Sequence, residues 1–361
     1  MTSAIVKGAP GHYRIGADVL KELPTHLAAL DIKNIHIVSG RKAWEAASPY
    51  LPEELSRSAI TFVDGPCTLE TVEQLATLYK REAVDAVIGI GGGTALDIAK
   101  AAAVQAGIKS VLIPTIAATC AAWTPLSVFY EADGTHSHYT EFPLANTLVL
   151  IEPAIIAASP IEYLKAGIGD TLAKYYEADA LVRRFYKDKE LPVWLQVSQF
   201  AALACRDILL KDGKAALESV SEKKVTDALI RVIETIIMTG GMVGGFGEKA
   251  GRIAGAHSVH NGLTEAPSMK DFLHGSIVAY GTLVQLAIEE KEDELNKLLE
   301  YYEEWDFPTS LKDLAVDVHD AEILGRIMKK ILLPQESIHL MEEKVTEDIL
   351  EKAIFHVENK K

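Results

Sequence analysis

Short apolar runs alternate with amphipathic segments over the first 160 residues of the chain. The runs end at turn-forming residues such as Gly40, Gly65 and Pro114, which is typical of buried strands. They predict strands at residues 35–38, 60–63, 84–90 and 110–113. Helical patterns between them predict helices at 68–82, with Thr68 as the N-cap, and at 94–105. Strands that alternate with helices indicate a parallel sheet with helices on both faces.

The pattern changes beyond Pro160. Helical periodicity extends over residues 163–186, 195–210 and 225–238, and strand signals nearly vanish. The last third of the chain, from Leu283 onward, is charged and amphipathic. A chain of this length suggests two domains. The sequence therefore predicts an α/β domain at residues 1–160, followed by an all-helical domain at residues 161–361.

Composition narrows the class of protein and its partners. The chain of 361 residues carries a formal net charge of −15, which argues against a nucleic-acid partner. Its three cysteines are scattered and show no CxxC spacing, which fits a reducing compartment. Residues 1–8 do not resemble a signal peptide. The apolar stretch at 147–158 is too short for a transmembrane helix. We therefore expect a cytoplasmic protein with no membrane partner, and a homo-oligomer stays open.

Three consecutive glycines, Gly91, Gly92 and Gly93, separate the predicted strand at 84–90 from the helix at 94–105. Without side chains they let a pyrophosphate approach the N–H groups of the helix start, where the helix dipole favours an anion. The spacing matches neither the GxGxxG nor the Walker A pattern. A tight turn without a ligand is the alternative. Residues 114–119 follow the next strand, so both segments can border one binding site.

Three of the eleven histidines lie close together in the sequence: His257, His260 and His274. Neutral imidazole is the commonest protein ligand for a transition metal, and histidine also transfers protons near neutral pH. The alternative is that these are helix residues with ordinary hydrogen-bond partners. Their clustering among small and apolar residues favours a functional site.

Five motifs in order resemble the glycerol dehydrogenase branch of the iron-containing alcohol dehydrogenase family. They are Gly-Gly-Gly-Thr-x-x-Asp-x-Ala-Lys at 91–100, Pro-Thr-Ile-Ala-x-Thr at 114–119, Gly-Ile-Gly-Asp at 167–170, Ala-His-x-x-His-Asn-Gly at 256–262 and His-Gly at 274–275. The resemblance implies a dehydroquinate synthase-like architecture. In it, an N-terminal dinucleotide-binding α/β domain with a parallel sheet precedes a C-terminal helical metal-binding domain, and the active site lies in the cleft between them.

The resemblance also implies which residues bind the metal and the cofactor. Asp170, His257 and His274 would hold one divalent metal, with zinc favoured over iron, nickel, cobalt or manganese, and would leave coordination positions open for a substrate oxygen. His260, one helical turn after His257, would line the pocket, relay a proton or only form a hydrogen bond. The implied cofactor contacts are Gly91, Gly92, Gly93, Thr94, Asp97, Thr115, Ala118, Thr124, Leu126, Val128 and Tyr130.

Two positions depart from the glycerol dehydrogenase pattern and change the expected substrate. Cys120 stands where glycerol dehydrogenases carry an aspartate that contacts glycerol hydroxyls, and a thiol is a poor hydrogen-bond partner for a polyol. Lys174 follows Asp170 by one helical turn, where other branches often carry a metal-binding histidine. It would either pair with Asp170 or act as the counter-ion of a substrate carboxylate. Together they favour a 2-hydroxy or 2-keto acid, as in the hydroxycarboxylate dehydrogenase subgroup.

The predicted strand at 35–38 ends without the acidic residue that NAD-preferring members place beside the adenosine ribose. Ser39 and Gly40 stand there, followed by Arg41 and Lys42. An aspartate would repel a ribose 2′-phosphate, whereas two cations could pair with it. The sequence therefore favours NADP(H) over NAD(H), the alternative being that both cations are only solvated.

The predicted function is metal-dependent hydride transfer between NAD(P)(H) and a small 2-keto or 2-hydroxy carboxylic acid, with His260 and Lys174 as candidate catalytic residues. One alternative is a zinc- and NAD-dependent glycerol or vicinal-diol dehydrogenase. A lyase of the dehydroquinate synthase type would need several cations around a leaving phosphate, and only Lys270 lies between the histidine motifs. A remote alternative is a nucleotide-binding protein without catalysis.

Overall fold

The computed structural model describes residues 5–251 and 253–360. Residues 1–4, half of the stretch in which no signal peptide is predicted, and Lys361, the end of the predicted helical domain, lie outside these ranges. The chain forms two compact units. The α/β unit comprises residues 7–160 and 219–241, and the helical unit comprises the remaining described residues.

Eight strands form the sheets of the α/β unit. They are β1 His12–Ile15, β2 Ile35–Ser39, β3 Ala59–Phe62, β4 Ala86–Gly91, β5 Lys109–Pro114, β6 Leu126–Tyr130, β7 His136–Glu141 and β8 Leu148–Ile151. Six of them form a parallel sheet in the order β1-β8-β5-β4-β2-β3. β6 and β7 form a separate antiparallel pair. The predicted α/β fold with a parallel sheet is confirmed.

Six helices belong wholly to the α/β unit. They are α1 Leu23–Ala29, α2 Arg41–Ala47, α3 Leu69–Arg81, α4 Gly93–Ala106, α5 Pro153–Ala157 and α8 Asp227–Glu234. Thr68 is the N-cap of α3, as predicted, because its hydroxyl accepts a hydrogen bond from the Thr71 N–H. The central strand β4 is buried along its whole length, and its apolar side chains pack with those of β2, β5 and β8 into one core.

Eight α-helices lie in the helical unit. They are α6 Ile161–Tyr186, α7 Val193–Ser221, α9 Gly240–Gly247, α10 Gly255–Leu263, α11 His274–Ile288, α12 Glu292–Glu304, α13 Ala321–Ile331 and α14 Glu347–Glu358. Two of them, α7 and α9, extend a few residues beyond its bounds. The α11 helix packs against α6, α10 and α14. It is buried along nearly its whole length, which explains why its sequence is apolar all round. The predicted all-helical character of this region is confirmed.

Two features differ from the sequence-based expectations. β1, β8 and the β6–β7 pair were not predicted as strands. The short β1 reads His-Tyr-Arg-Ile and β7 is mostly exposed, so neither has a strong apolar pattern, and β8 lies within the apolar stretch at 147–158 that was considered only as a membrane span. Residues 219–241 belong to the α/β unit, where α8 packs against α5. Periodicity predicts that a segment is helical but not which core it covers.

In the part of the chain that the structure describes, two helical stretches, Val193–Ser221 and Asp227–Gly247, are long and apolar enough to cross a membrane by length and composition. Neither stretch was among the segments considered as candidate membrane spans, since only residues 147–158 were. Most of the apolar window of the second stretch, 61%, is buried inside the protein. A buried core helix meets the same criteria, so length and hydropathy alone are weak support for a membrane span.

Candidate functional site

Close helix crossings place the candidate metal ligands. A Cβ atom on Gly169 would lie 2.4 Å from the Gly275 carbonyl oxygen, and a Cβ atom on Gly275 would lie 1.8 Å from the Ala166 carbonyl oxygen. Only glycine permits this contact between α6 and α11. Asp170 follows the first glycine and His274 precedes the second, so the crossing brings these two side chains together.

A second crossing positions His257. A Cβ atom on Gly281 of α11 would lie 2.4 Å from the carbonyl oxygen of Ala256 in α10. This contact holds the first turn of α10 against α11. His257 is therefore placed beside His274, with their ring centroids 5.3 Å apart.

The three side chains form a donor set that fits a divalent transition metal. Asp170 Oδ1 lies 3.4 Å from His257 Nε2 and 3.3 Å from His274 Nε2. Among the residues that the structure describes, these three ligand atoms form a group within 4.8 Å of one another. One carboxylate and two imidazoles suit zinc, iron and related metals, and they leave coordination positions free.

Asp170 is kept in its charged form although it is buried. Burial alone would raise the pKa of this carboxyl group, but the Lys174 ammonium and hydrogen bonds from His257 and His274 hold the pKa well below its usual value. Lys174 Nζ lies 3.0 Å from Asp170 Oδ2. Of the two expected roles of Lys174, the structure shows the pairing with Asp170. The second carboxylate oxygen, Oδ1, is the one that faces the histidines.

His257 has a buried carboxylate as its partner. Its Nδ1 lies 2.7 Å from Glu177 Oε2. Burial lowers the pKa of His257, but the carboxylates of Glu177 and Asp170 outweigh it and raise the pKa to about 9. A histidine must be neutral to bind a metal, so metal binding at this site would release a proton from His257.

His260 contacts His274. Its Nε2 lies 3.0 Å from His274 Nδ1, and its Nδ1 lies 3.1 Å from Asn261 Oδ1. Burial, reinforced by the neighbouring histidines, lowers the pKa of His260 well below its usual value. His260 is therefore neutral near pH 7, and both ring nitrogens have hydrogen-bond partners.

Sequence reasoning missed Glu177, Asn261 and Glu336 around this cluster. A signal for Glu177 was present, because residues 170, 174 and 177 lie on one face of α6. Glu336, whose carboxylate accepts from Asn261 Nδ2, had no sequence signal, since it lies 75 residues away in the chain.

The glycine loop of the α/β unit has the features of an anion cradle. Gly91 has φ +154°, and the ideal Cβ of Gly93 would meet nothing closer than 3.9 Å. Gly92 is the N-cap of α4 and supplies no side chain to the first N–H groups of the helix. These N–H groups have no partner within the helix. The loop therefore offers free space at Gly93 and unpaired donors where a pyrophosphate would lie, whereas the Cβ positions of Gly91 and Gly92 are taken by Ala95 and Ile116.

The glycine loop also lies at the switch point of the parallel sheet. β2 and β4 are neighbours, and the chain leaves them toward β3 and β5, which lie on opposite sides of the pair. Such points form the ligand-binding crevice of open α/β sheets. Ser39, which ends β2, pairs in register with Ile90 of β4, so the predicted ribose-binding end of the strand lies next to the glycine loop.

Asp97 and Lys100, from the glycine motif, anchor the segment that carries the other predicted cofactor contacts. Lys100 is fully buried, lies 2.8 Å from Asp97 Oδ1, and donates to the carbonyl groups of Ala121, Thr124 and Leu126. The other oxygen of Asp97 accepts from the Val128 N–H. The structure thus places Asp97 beneath this segment and engages both of its oxygens.

The remaining predicted residues lie along the same segment. Thr115 is buried, and its N–H donates to the Gly91 carbonyl. Ala118 and Cys120 are half-buried, and Thr119 and Ala121 flank the Cβ direction of Gly93. Thr124 precedes β6, and Leu126, Val128 and Tyr130 belong to it. Thr94 is exposed in the first turn of α4.

At the end of β2, Ser39 is buried and its hydroxyl donates to the Gly40 carbonyl. Arg41, the first residue of α2, lies over the Phe62 ring with 4.7 Å between its guanidinium carbon and the ring centroid. This contact fixes the position of a cation beside Ser39. Lys42 is exposed.

A fold with a dinucleotide cradle and a metal-ligand cluster defines a class of metal-dependent dehydrogenases, and comparison with known proteins identifies the family. The family model for iron-containing alcohol dehydrogenases matches residues 10–153. The chain is 42% identical to hydroxycarboxylate dehydrogenase A of Escherichia coli over 324 residues, 89% of this chain and 88% of that protein.

Two further relatives agree. The chain is 32% identical to a glycerol dehydrogenase of Pseudomonas putida, covering 94% of this chain and 93% of the relative. The crystal structure of a glycerol dehydrogenase from Schizosaccharomyces pombe superposes with a TM-score of 0.87 at 26% identity, covering 99% of this chain and 91% of that one.

The chain belongs to the iron-containing alcohol dehydrogenase family. It is a dehydrogenase that acts on CH–OH donors, in a family that is NAD-dependent and metal-binding.

Proposed function

We propose that the protein interconverts a small 2-keto acid and the corresponding 2-hydroxy acid, with NADP(H) as the redox partner. In the direction of reduction, one hydride from the nicotinamide and one proton convert the ketone into the alcohol. The proposal is supported by the 42% identity with hydroxycarboxylate dehydrogenase A. The observation that carries it is the Lys174 ammonium, 3.0 Å from the ligand Asp170.

Asp170, His257 and His274 would hold one divalent metal, with zinc favoured. When bound, the metal would supply a Lewis acid for the substrate carbonyl group and lower the pKa of the alcohol in the reverse direction. Asp170 would contribute its charge through Oδ1, and His257 and His274 would contribute their Nε2 atoms. His260 is assigned a role in passing the proton or in holding His274.

The charge balance of the cluster favours an anionic substrate. Among the charged groups in direct contact with the three ligands, a dication and Lys174 would outweigh the carboxylates of Asp170 and Glu177 by one positive charge, with the imidazoles neutral. A substrate carboxylate would neutralise this excess. Glycerol, which is neutral, would leave it uncompensated. Cys120, which replaces the carboxylate expected in glycerol dehydrogenases, removes a repulsion toward the same substrate.

The preference for NADP(H) rests on the end of β2. Ser39 brings no negative charge, and Arg41 is held beside it by Phe62. A guanidinium pairs with a phosphate through two parallel hydrogen bonds. Arg41, with Lys42 next to it, would therefore bind the 2′-phosphate.

The second candidate is a glycerol or vicinal-diol dehydrogenase that uses NAD and zinc, and the similarity to the Pseudomonas putida glycerol dehydrogenase favours it. A nucleotide-binding protein without catalysis would have no need for the complete ligand set at Asp170, His257 and His274. The proposal includes a cytoplasmic location and a small-molecule substrate, with no nucleic-acid or membrane partner.

The test is a screen of NADPH and NADH oxidation against short 2-keto acids, and of the reverse reaction against glycerol and vicinal diols. Each is run with the metal removed by a chelator and with zinc, iron, nickel, cobalt or manganese restored. We expect the fastest turnover with a 2-keto acid and NADPH, and loss of turnover without metal. Faster oxidation of glycerol with NAD than reduction of any keto acid with NADPH would overturn both assignments.

A matched pair of substrates tests the role of Lys174. In Lys174→Gln, we expect KM for the 2-keto acid to rise about tenfold, the loss of one charge-assisted contact, while KM for a neutral ketone of the same length changes little. Equal changes for both ketones would show that Lys174 only pairs with Asp170.

A further inference from the structure

The carboxylate of Glu177 is fully buried, and both of its oxygens have hydrogen-bond partners. One of its oxygens accepts from the Ala254 and His257 N–H groups, at 2.7 and 3.0 Å, and the other lies 2.7 Å from His257 Nδ1. Burying a carboxylate costs free energy unless its charge is paired and hydrogen-bonded. Here it holds both the start of α10 and the ring of His257.

A second carboxylate is connected to His274 through a chain of three hydrogen bonds. His274 Nδ1 lies 3.0 Å from His260 Nε2, and His260 Nδ1 lies 3.1 Å from Asn261 Oδ1. Asn261 Nδ2 then donates to the Glu336 carboxylate, at 3.0 Å from Oε2. The segment after Glu336 is fixed to α10, because the Ile338 N–H donates to the Ser258 hydroxyl.

The directions of these bonds determine the tautomer of each ring. A carboxylate oxygen only accepts, so His257 carries a hydrogen on Nδ1. An amide oxygen also only accepts, so the neutral His260 has its hydrogen on Nδ1 and accepts at Nε2 from His274 Nδ1. In both ligands Nδ1 is the donor, so loss of the Nε2 hydrogen that faces Asp170 Oδ1 in the metal-free protein would leave the Nε2 lone pair available to a metal.

We propose that Glu177 and Glu336 are positioning residues for the metal: Glu177 orients His257 directly, and Glu336 orients His274 through Asn261 and His260. This inference rests on the proposed metal ligands but not on the proposed substrate. Partners of this kind typically change metal affinity by about 10- to 100-fold. The two carboxylates differ in their expected weight, because Glu177 is buried and in direct contact, whereas Glu336 is half-buried and acts through two side chains.

The test compares Glu177→Gln with Glu336→Gln in the full-length protein. In Glu177→Gln one amide oxygen can still accept from the backbone of α10, but the amide N–H₂ then faces His257 Nδ1. That arrangement favours the tautomer with hydrogen on Nε2, which cannot bind a metal through that atom. In Glu336→Gln the loss of charge weakens the last bond of the chain only.

Metal binding is measured by titration of the metal-free protein with Zn²⁺ in competition with a chromophoric chelator, and by the visible absorption of the Co²⁺ form. We expect Zn²⁺ affinity to fall about 10- to 100-fold in Glu177→Gln, and about tenfold or less in Glu336→Gln, with a changed Co²⁺ spectrum in each. The control is Glu358→Gln. Like Glu177, Glu358 has a carboxylate that accepts from one buried side chain, the Tyr280 hydroxyl, and from a backbone N–H, that of Leu311, but neither of these groups belongs to a proposed metal ligand.

The outcomes separate this inference from the metal site itself. If His274→Ala binds Zn²⁺ as tightly as the unmodified protein, the ligand assignment fails. If the ligand variants lose the metal while Glu177→Gln and Glu336→Gln keep the affinity and spectrum of Glu358→Gln, the ligands stand and the positioning role is wrong. Should Glu177→Gln not fold, Glu336→Gln and Asn261→Ala decide the question, since both lie at the less buried end.

Discussion

The metal-ligand cluster and the glycine loop are built in opposite ways. In the cluster of the helical unit, the function lies in side chains, and further side chains hold each of them, as Lys174 holds Asp170 and Glu177 holds His257. In the loop of the α/β unit, the function lies in the space left by missing side chains and in the backbone N–H groups of α4. We therefore expect the metal-ligand cluster to lose function when a side chain is shortened, and the glycine loop to lose function when a side chain is added.

Glycine appears in both regions but serves different purposes. Gly169 and Gly275 let two helices touch, so they act on the fold and only through it on the ligands. The ideal Cβ of Gly93 would meet no atom of the protein within 3.9 Å, so the fold does not require glycine there. This open space, together with the position of Gly93 at the start of α4, is what indicates a ligand there.

Removal of a ligand is expected to have the largest effect. His274→Ala should lower kcat by about 1,000-fold, the size of effect seen when one transition-state-stabilising group is lost. Because the His274 side chain is 43% exposed, stability of the metal-free protein should hardly change. The measurements are NADPH oxidation and the melting temperature without metal. Retention of a tenth or more of the activity would contradict the ligand assignment.

His257→Ala sharpens the same comparison. It should lower turnover to the same extent, but it also removes the side-chain partner of the buried Glu177 carboxylate, which would keep only its two backbone N–H donors. The cost of an unpaired buried charge is about 3 kcal/mol or more. We therefore expect a clearly lower melting temperature than for His274→Ala, and equal melting temperatures would show that Glu177 does not depend on His257.

A methyl group at the helix crossing should have the next largest effect. In Gly275→Ala the new Cβ would lie 1.8 Å from the Ala166 carbonyl oxygen, so α6 and α11 must separate. We expect a loss of about 3 kcal/mol from overpacking and about 100-fold lower activity from displaced ligands. Gly325→Ala is the matched control, because its Cβ would meet nothing within 4 Å. Equal denaturation midpoints for the two variants would refute this account of the crossing.

The same substitution in the glycine loop should separate function from stability. Gly93→Ala places a methyl group where the pyrophosphate is expected, so KM for the cofactor should rise about 10- to 30-fold, a loss of about 1.4 to 2 kcal/mol of binding. Its melting temperature should match that of the unmodified protein. Gly89→Ala should instead lower the melting temperature and leave KM for the cofactor nearly unchanged, because its Cβ would lie 2.6 Å from the Ala99 Cβ. If Gly93→Ala binds NADPH normally, the loop is only a turn.

Much of this arrangement could be predicted because local sequence determines it. The apolar runs before Gly91 and Pro114 predict β4 and β5, and the glycine motif predicts the start of α4. Asp170, His257 and His274 were recognised from motifs, and the structure brings them together. What the sequence did not reveal depends on distant contacts. Glu336 meets Asn261 across 75 residues, and residues 219–241 join the α/β unit because of packing rather than pattern.

Asp97 shows a different limit of motif reasoning. The resemblance implied a cofactor contact, and its position four residues after Gly93 is consistent with that. In the structure its carboxylate is engaged by Lys100 and the Val128 N–H. A motif preserves residues that position a binding segment as well as residues that touch the ligand, and sequence alone does not separate the two.

The smallest effect is expected at Arg41, the cation beside the glycine loop. At this site a side chain and the loop would bind the same cofactor, so it combines the features of the metal-ligand cluster and of the glycine loop. Arg41→Ala removes a guanidinium that Phe62 holds in place. We expect kcat/KM for NADPH to fall about tenfold, the loss of one charge-assisted phosphate contact, whereas NADH, which lacks the 2′-phosphate, should be used as before. Lys42→Ala should have a smaller effect, since Lys42 has no such aromatic contact to fix its position. An equal loss of kcat/KM with both cofactors would mean that Arg41 stabilises α2 and does not bind the 2′-phosphate. The preference for NADP(H) would then have no residue to explain it.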